Sequence, residues 1–78
     1  MNLQKLSKGE RFVVEWQYRM AGGFHTALAE AISRADIYNL ALLENGFPEE
    51  VVAMRSYMNT DGWWQNVQKK LREAKNDR

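Results

Sequence analysis

Seventy-eight residues without a Cys exclude a disulfide framework and a thiolate metal site, and a single His, His25, leaves any metal to carboxylates. A formal net charge of +1 is too small to argue for nucleic acid or an acidic partner on global electrostatics. The apolar runs are too short to span a bilayer and the first residues lack the apolar core of a signal peptide, so the chain reads as cytoplasmic.

Ser7-Lys8-Gly9-Glu10 has the form of a capping box, with Leu6 before it placed to staple onto Phe12 or the stem of Arg11. The first helix is expected over 8–20. Phe12, Val13, Trp16 and Met20 share one face, and Val14 and Tyr18 a second. Paired glycines, Gly22-Gly23, are expected to stop it. The second helix carries an apolar stripe of Phe24, Ala27, Leu28, Ala31, Ile32 and Ala35, with His25, Glu30, Ser33 and Arg34 off it.

Asp36 is a good N-cap for a third helix through Ile37, Leu40, Ala41 and Leu43 or Glu44, although nothing forces a break between the second and third. Asn45-Gly46 is a C-terminal stop, and Pro48-Glu49-Glu50 opens a fourth helix with acids on its positive end. Val51, Met54 or the Arg55 stem, and Met58 make its inner face. Thr60 or Asp61 caps a fifth helix bearing Trp63, Trp64, Val67 and Leu71. The expected fold is all-α: a compact bundle of four to five short helices forming one domain over 1–78, with loose ends at 1–6 and 75–78. Helix 1 or helix 2 should be central. The core should draw on Phe12, Trp16, Phe24, Leu28, Ile32, Leu40, Val51 and one of the two tryptophans.

No catalytic motif is present: no phosphate-cradling glycine loop, no H-E-x-x-H and no nucleophile with a recognisable base. Gly22-Gly23 could hold an anion at a helix N-terminus, but a simple turn accounts for it better. His25 is read as a surface residue that could contact a ligand. Glu44, Glu49 and Glu50 are explained by capping and dipole compensation. No cofactor, metal or catalytic residue is expected, and the chain is read as not an enzyme.

The aromatics carry more information. Trp63 and Trp64 point about 100° apart, so a thin core should swallow one and leave the other at its edge. An edge Trp can anchor a protein interface or stack on a base. Tyr18, Tyr38 and Tyr57 add amphipathic surface. Helix 5 follows its tryptophans with Lys69, Lys70 and Arg72, a mild nucleic-acid signature that helix-dipole compensation also explains.

Several segments together resemble a family of short hypothetical proteins from phages and prophages. They are Gly23-Phe24-His25-Thr26-Ala27-Leu28, Ala31-Ile32-Ser33-Arg34-Ala35-Asp36, Asn39-Leu40, Gly46-Phe47-Pro48-Glu49-Glu50-Val51, Tyr57 and Gly62-Trp63-Trp64. Phe12-Val13-Val14-Glu15-Trp16-Gln17-Tyr18 fits the same pattern. The resemblance implies an accessory gene working in bacterial cytoplasm, and it carries no catalytic residues.

Three functions are therefore weighed. In the first, a small binding protein blocks a host defence protein or sequesters a small nucleotide, as a homo-oligomer with Trp63 or Trp64 at the seam. Its candidate contacts are Trp63, Trp64, Tyr57, Tyr18, Lys69, Lys70, Arg72 and His25. The alternative is a nucleic-acid-binding module of phage replication or transcription that uses the basic fifth helix. An enzyme with a shared active site ranks last.

Overall fold

The computed structural model describes residues 5–76 and places five helices there: α1 Lys8–Gln17, α2 Gly23–Arg34, α3 Ile37–Gly46, α4 Pro48–Asn59 and α5 Trp63–Asn76. Of the ends expected to be loose, residues 1–4 and 77–78 lie outside the described residues. The bundle is all-α, with no strand among the described residues. Its Cα extents are 44 × 27 × 18 Å. A thickness of 18 Å holds two helix layers at most, so every helix keeps a side toward solvent.

The capping box forms as expected. The Glu10 N–H donates to Ser7 Oγ at 3.1 Å, and the Ser7 N–H donates to Glu10 Oε1 at 2.9 Å. Leu6 does not staple onto Phe12. It packs instead on a small cluster of Val14, Val67 and Leu71.

Helix α1 ends one turn earlier than expected, and not by the glycines. Arg19 takes the left-handed conformation, φ 58°. The Met20 N–H reaches back to the Glu15 carbonyl at 2.7 Å, and the Arg19 N–H to the Trp16 carbonyl at 3.1 Å. This is a Schellman stop with Arg where Gly is usual. Met20 therefore leaves the inner face of α1 and is exposed. Gly22 is extended and merely caps α2.

Helix α2 is turned by roughly 80° from its sequence stripe. Leu28, Ala29 and Ile32 are buried, whereas Phe24 is 64% exposed and Ala27 and Ala31 face outward. Phe24 therefore leaves the expected core. The neighbour that α2 must fit is the α1/α4 pair, and Ala29 is fully buried in the core they share. Helices α2 and α3 are separate: Ala35 is extended, and the Asn39 N–H donates to the Asp36 carboxylate at 2.8 Å.

The central partner of α1 is α4, which also touches α2, α3 and α5. Its buried face is Glu50, Val51, Ala53 and Met54; Met58, expected inside, is 44% exposed. Gly9 makes the α1/α4 approach possible. A Cβ there would stand 2.7 Å from the Glu49 carbonyl oxygen and 2.8 Å from the Ala53 Cβ. The main core is Phe12, Val13, Leu28, Ala29, Ile32, Val51, Ala53 and Met54.

Helix α5 follows a turn at Gly62, whose φ of 83° suits glycine. Gly62, rather than Thr60 or Asp61, directly precedes the helix. Helix α5 runs antiparallel to α1. Trp64 meets Tyr18 at the C-terminal end of α1, Val67 packs with Val14, and Lys70 meets Glu10 at the N-terminal end.

The Lys70 Nζ donates to Glu10 Oε2 at 2.7 Å. Burial pushes the Glu10 carboxyl up. The hydrogen bond and charge of Lys70, with the Ser7 N–H and hydroxyl, outweigh it and hold the group below its ordinary value. A depressed folded pKa gives stability that is present above the ordinary carboxylate value of 4.5 and lost as pH falls through the lowered one. Glu10→Gln is expected to lose about 1 kcal/mol at pH 7, a figure discounted for solvent screening because Lys70 is 43% exposed. The difference from the parent should vanish as the pH falls below the lowered value. Urea midpoints measured down the pH scale check this; a constant difference between the two chains would show that Glu10 titrates alike folded and unfolded.

Candidate functional site

The short α1, the end of α4 and the start of α5 meet at one end of the bundle. Each brings aromatic rings there. Tyr57, in the last turn of α4, is the hub. Its ring meets Trp16 at 5.8 Å, Trp63 at 6.4 Å and Trp64 at 5.6 Å, all edge-to-face. Tyr18 closes the group, 6.1 Å from Trp64. The Schellman turn puts Tyr18 at the C-cap of α1, where it reaches α5. Edge-to-face pairs add about 0.5–1.5 kcal/mol each beyond their buried area, so the cluster is preorganised.

Four of the eight expected contact residues thus converge: Tyr18, Tyr57, Trp63 and Trp64. Trp16, read from the sequence as core only, joins them. Neither of the adjacent tryptophans is swallowed whole. Both are half-buried, and they serve different sides. Trp63 lies under a groove of about 360 Å³ with Gly9, Pro48 and Val52 between α1 and α4. Trp64 and Tyr57 wall an open cleft of about 450 Å³ whose rim carries Met58, Asp61 and Gln65. The exposure of Met58 follows from its place at this rim. Nothing in the sequence signalled it, because its helical spacing matched Val51 and Met54.

The cleft is lined by Tyr57, Met58 and Trp64 together with the polar Thr60, Asp61 and Gln65, and its surface is polar for the greater part. Among the described residues, Asp61 is the one charged group lining it. With no cation among those lining residues, a phosphate would meet a carboxylate without a counter-charge.

The other four residues lie elsewhere. Lys70 is tied to Glu10, as described. Lys69 stands 4.0 Å from Glu73 one turn on, and Arg72 is exposed. Lys70 is six residues beyond Trp64, about 9 Å along the helix axis. His25 is exposed, with its ring against Phe12 at 5.7 Å and Phe24 at 5.5 Å. It lines a separate recess of about 260 Å³ with Lys8, Arg11, Glu15 and Glu50.

The acids around Pro48 each have a cation. Glu44 pairs with Arg55 at 3.0 Å, and Lys8 lies 3.8 Å from Glu49 and 3.7 Å from the buried Glu50. Among the described residues, no group of three or more His, Asp or Glu is placed to hold a metal ion. No helix among them is long and apolar enough to cross a membrane.

Comparison with family models, with curated proteins and with solved structures found no match.

Proposed function

We propose that this chain is a small non-enzymatic accessory protein of phage type that works by occupying a host protein surface through its aromatic end. The observation that carries this is the ring cluster of Trp16, Tyr18, Tyr57, Trp63 and Trp64 beside an open cleft. Rigid, half-exposed Trp and Tyr are the side chains that dominate protein interfaces, because they bring large area at little entropic cost. Asp61 at the rim narrows the partner to one that offers an apolar anchor beside a Lys or Arg.

The same carboxylate counts against a sequestered nucleotide. The nucleic-acid reading also weighs less, since Lys70 is held by Glu10 at 2.7 Å and Lys69 faces Glu73. The phage origin and the bacterial cytoplasm as the place of action rest on the sequence pattern alone.

A photo-crosslinking residue tests the reading. Gln65 is exposed at the cleft; Glu30 is exposed on α2 and serves as the control. In bacterial cells, crosslinking from position 65 is expected to give a discrete protein adduct that is absent from position 30 and lost with Trp64→Ala. Equal labelling from both positions, or adducts that collapse under nuclease, would refute it.

A further inference from the structure

The cleft between the end of α4 and the start of α5 has a charge that its own chain does not answer. Asp61 lines it and is exposed, and no hydrogen bond or ion pair holds its carboxylate among the described residues. Every other described acid except Glu30 has a cation or a backbone N–H at its carboxylate. Glu30 lines none of the three recesses.

The helix ends around Asp61 do not cancel it. Helix α4 finishes at the cleft with no basic residue in its last turn, and the carbonyls of Tyr57, Met58 and Asn59 accept no backbone hydrogen bond. That negative end roughly balances the positive end of α5, which starts beside it. The full charge of Asp61 is left over. The first basic residue of α5, Lys69, leans to Glu73 at 4.0 Å.

We infer that this cleft seats an arginine side chain of the partner, its guanidinium against Tyr57 and Trp64 and paired with Asp61. The inference rests on the aromatic end being the contact surface and says what that surface reads. Three properties of the cleft select arginine. First, the two rings stand at 89° with centroids 5.6 Å apart. A cation in the angle between them lies within about 6 Å of both, the reach of a cation–π contact. A planar guanidinium can lie flat on one ring while it meets the other edge-on.

Second, the cleft is rich in acceptors. The Asp61 carboxylate can take two parallel N–H bonds, and the Gln65 amide oxygen, the Thr60 hydroxyl and the open carbonyls of α4 remain for the other donors. Third, the cleft is open and mostly polar, so its occupant keeps part of its water. A guanidinium is weakly hydrated and stacks readily, whereas a lysine ammonium is a compact, strongly hydrated charge. A phosphate or carboxylate would meet Asp61 with no cation to offset it.

Three short peptides test this: acetyl-Leu-Arg-Leu-amide, its lysine counterpart, and its citrulline counterpart, which keeps the shape of arginine without the charge. The readout is the indole N–H signals of the labelled protein, each tryptophan assigned from its Phe variant. The arginine peptide should move the Trp64 signal saturably, with a dissociation constant on the order of millimolar. The citrulline peptide should bind at least about threefold more weakly, and the lysine peptide about twofold more weakly. Asp61→Asn changes an exposed side chain and should keep the helical circular dichroism. It should weaken the arginine peptide about two- to fivefold and leave the citrulline peptide unchanged. Gln65→Lys sets a competing cation at the rim and should abolish arginine binding, which keeps the test decisive if Asp61→Asn misfolds.

Equal binding of the citrulline peptide, indifference to Asp61→Asn together with Gln65→Lys, or no saturable shift with any peptide would overturn the inference. A lysine peptide that binds as well as the arginine one overturns the guanidinium. Shifts at Trp16 or Trp63 without Trp64 place the peptide elsewhere and also overturn it. The two readings fail separately. A crosslinked adduct from position 65 with no response to the arginine peptide keeps the contact surface and removes arginine. Peptide binding at Trp64 with no adduct in cells keeps the arginine site and removes the host partner.

Discussion

Leu28→Ala is expected to lower the unfolding free energy by about 2–5 kcal/mol, the range for a truncated buried Leu that leaves a cavity. Leu28 is 6% exposed, inside the cluster of Phe12, Val13, Ile32, Val51 and Met54. A chain of this size holds about 4–12 kcal/mol in all, so the loss takes much of it. Phe24→Ala is the informative control. Phe24 lies one turn before Leu28 on the same sequence stripe, is larger, and would cost more if it were core. At 64% exposure it should cost under about 1 kcal/mol, from its ring contacts with His25 and Phe47. Urea denaturation of both variants decides the matter. Equal losses would mean that α2 sits in the orientation its sequence stripe implies, with Phe24 inside.

Gly9→Ala should destabilise by about 1–2 kcal/mol net. Removing a helical Gly returns up to about 1 kcal/mol of helix propensity. The new methyl stands 2.7 Å from the Glu49 carbonyl oxygen and 2.8 Å from the Ala53 Cβ, so the α1/α4 pair must part, and such overpacking costs about 1–3 kcal/mol. The first of those neighbours is backbone and cannot rotate away. Gly9→Val should cost more.

Gly46→Ala has the opposite sign. Gly46 ends α3 with nothing within 4 Å of a Cβ and without a positive φ, so Ala there should stabilise by about 0.4–1 kcal/mol. Thermal melts of the two Ala variants should move in opposite directions. A stabilised Gly9→Ala would show that α1 and α4 are not so close.

Much of the local structure was legible without tertiary information. The Ser7–Glu10 capping box, the Asp36 cap, Pro48 at the head of α4 and the apolar spacing of Val67 and Leu71 all act within a turn or two of chain. Their chemistry is complete in the sequence, and the structure keeps each of them. Sequence also marked Tyr18, Tyr57, Trp63 and Trp64 as surplus to a thin core. It did not bring them together, because Tyr18 and Trp64 lie 46 residues apart in number and meet only because α5 folds back antiparallel along α1.

Where the reading failed, a non-local contact made the choice. Gly22-Gly23 had the backbone freedom to stop α1, yet Arg19 took the left-handed turn, which set Tyr18 against Trp64. Phe24 and Met58 had core spacing, yet α4, touching four other helices, filled the core from its Val51–Met54 side and left both outside. Glu50 read as a dipole compensator, and packing buried it beside Lys8. Composition, caps and periodicity thus determined that this chain is helical and where α1, α3 and α4 begin. Only the tertiary structure decided which face of each helix is inside. Several faces of α2, α3 and α4 are apolar enough to be buried, and with two helix layers and 78 residues only one face of each can be.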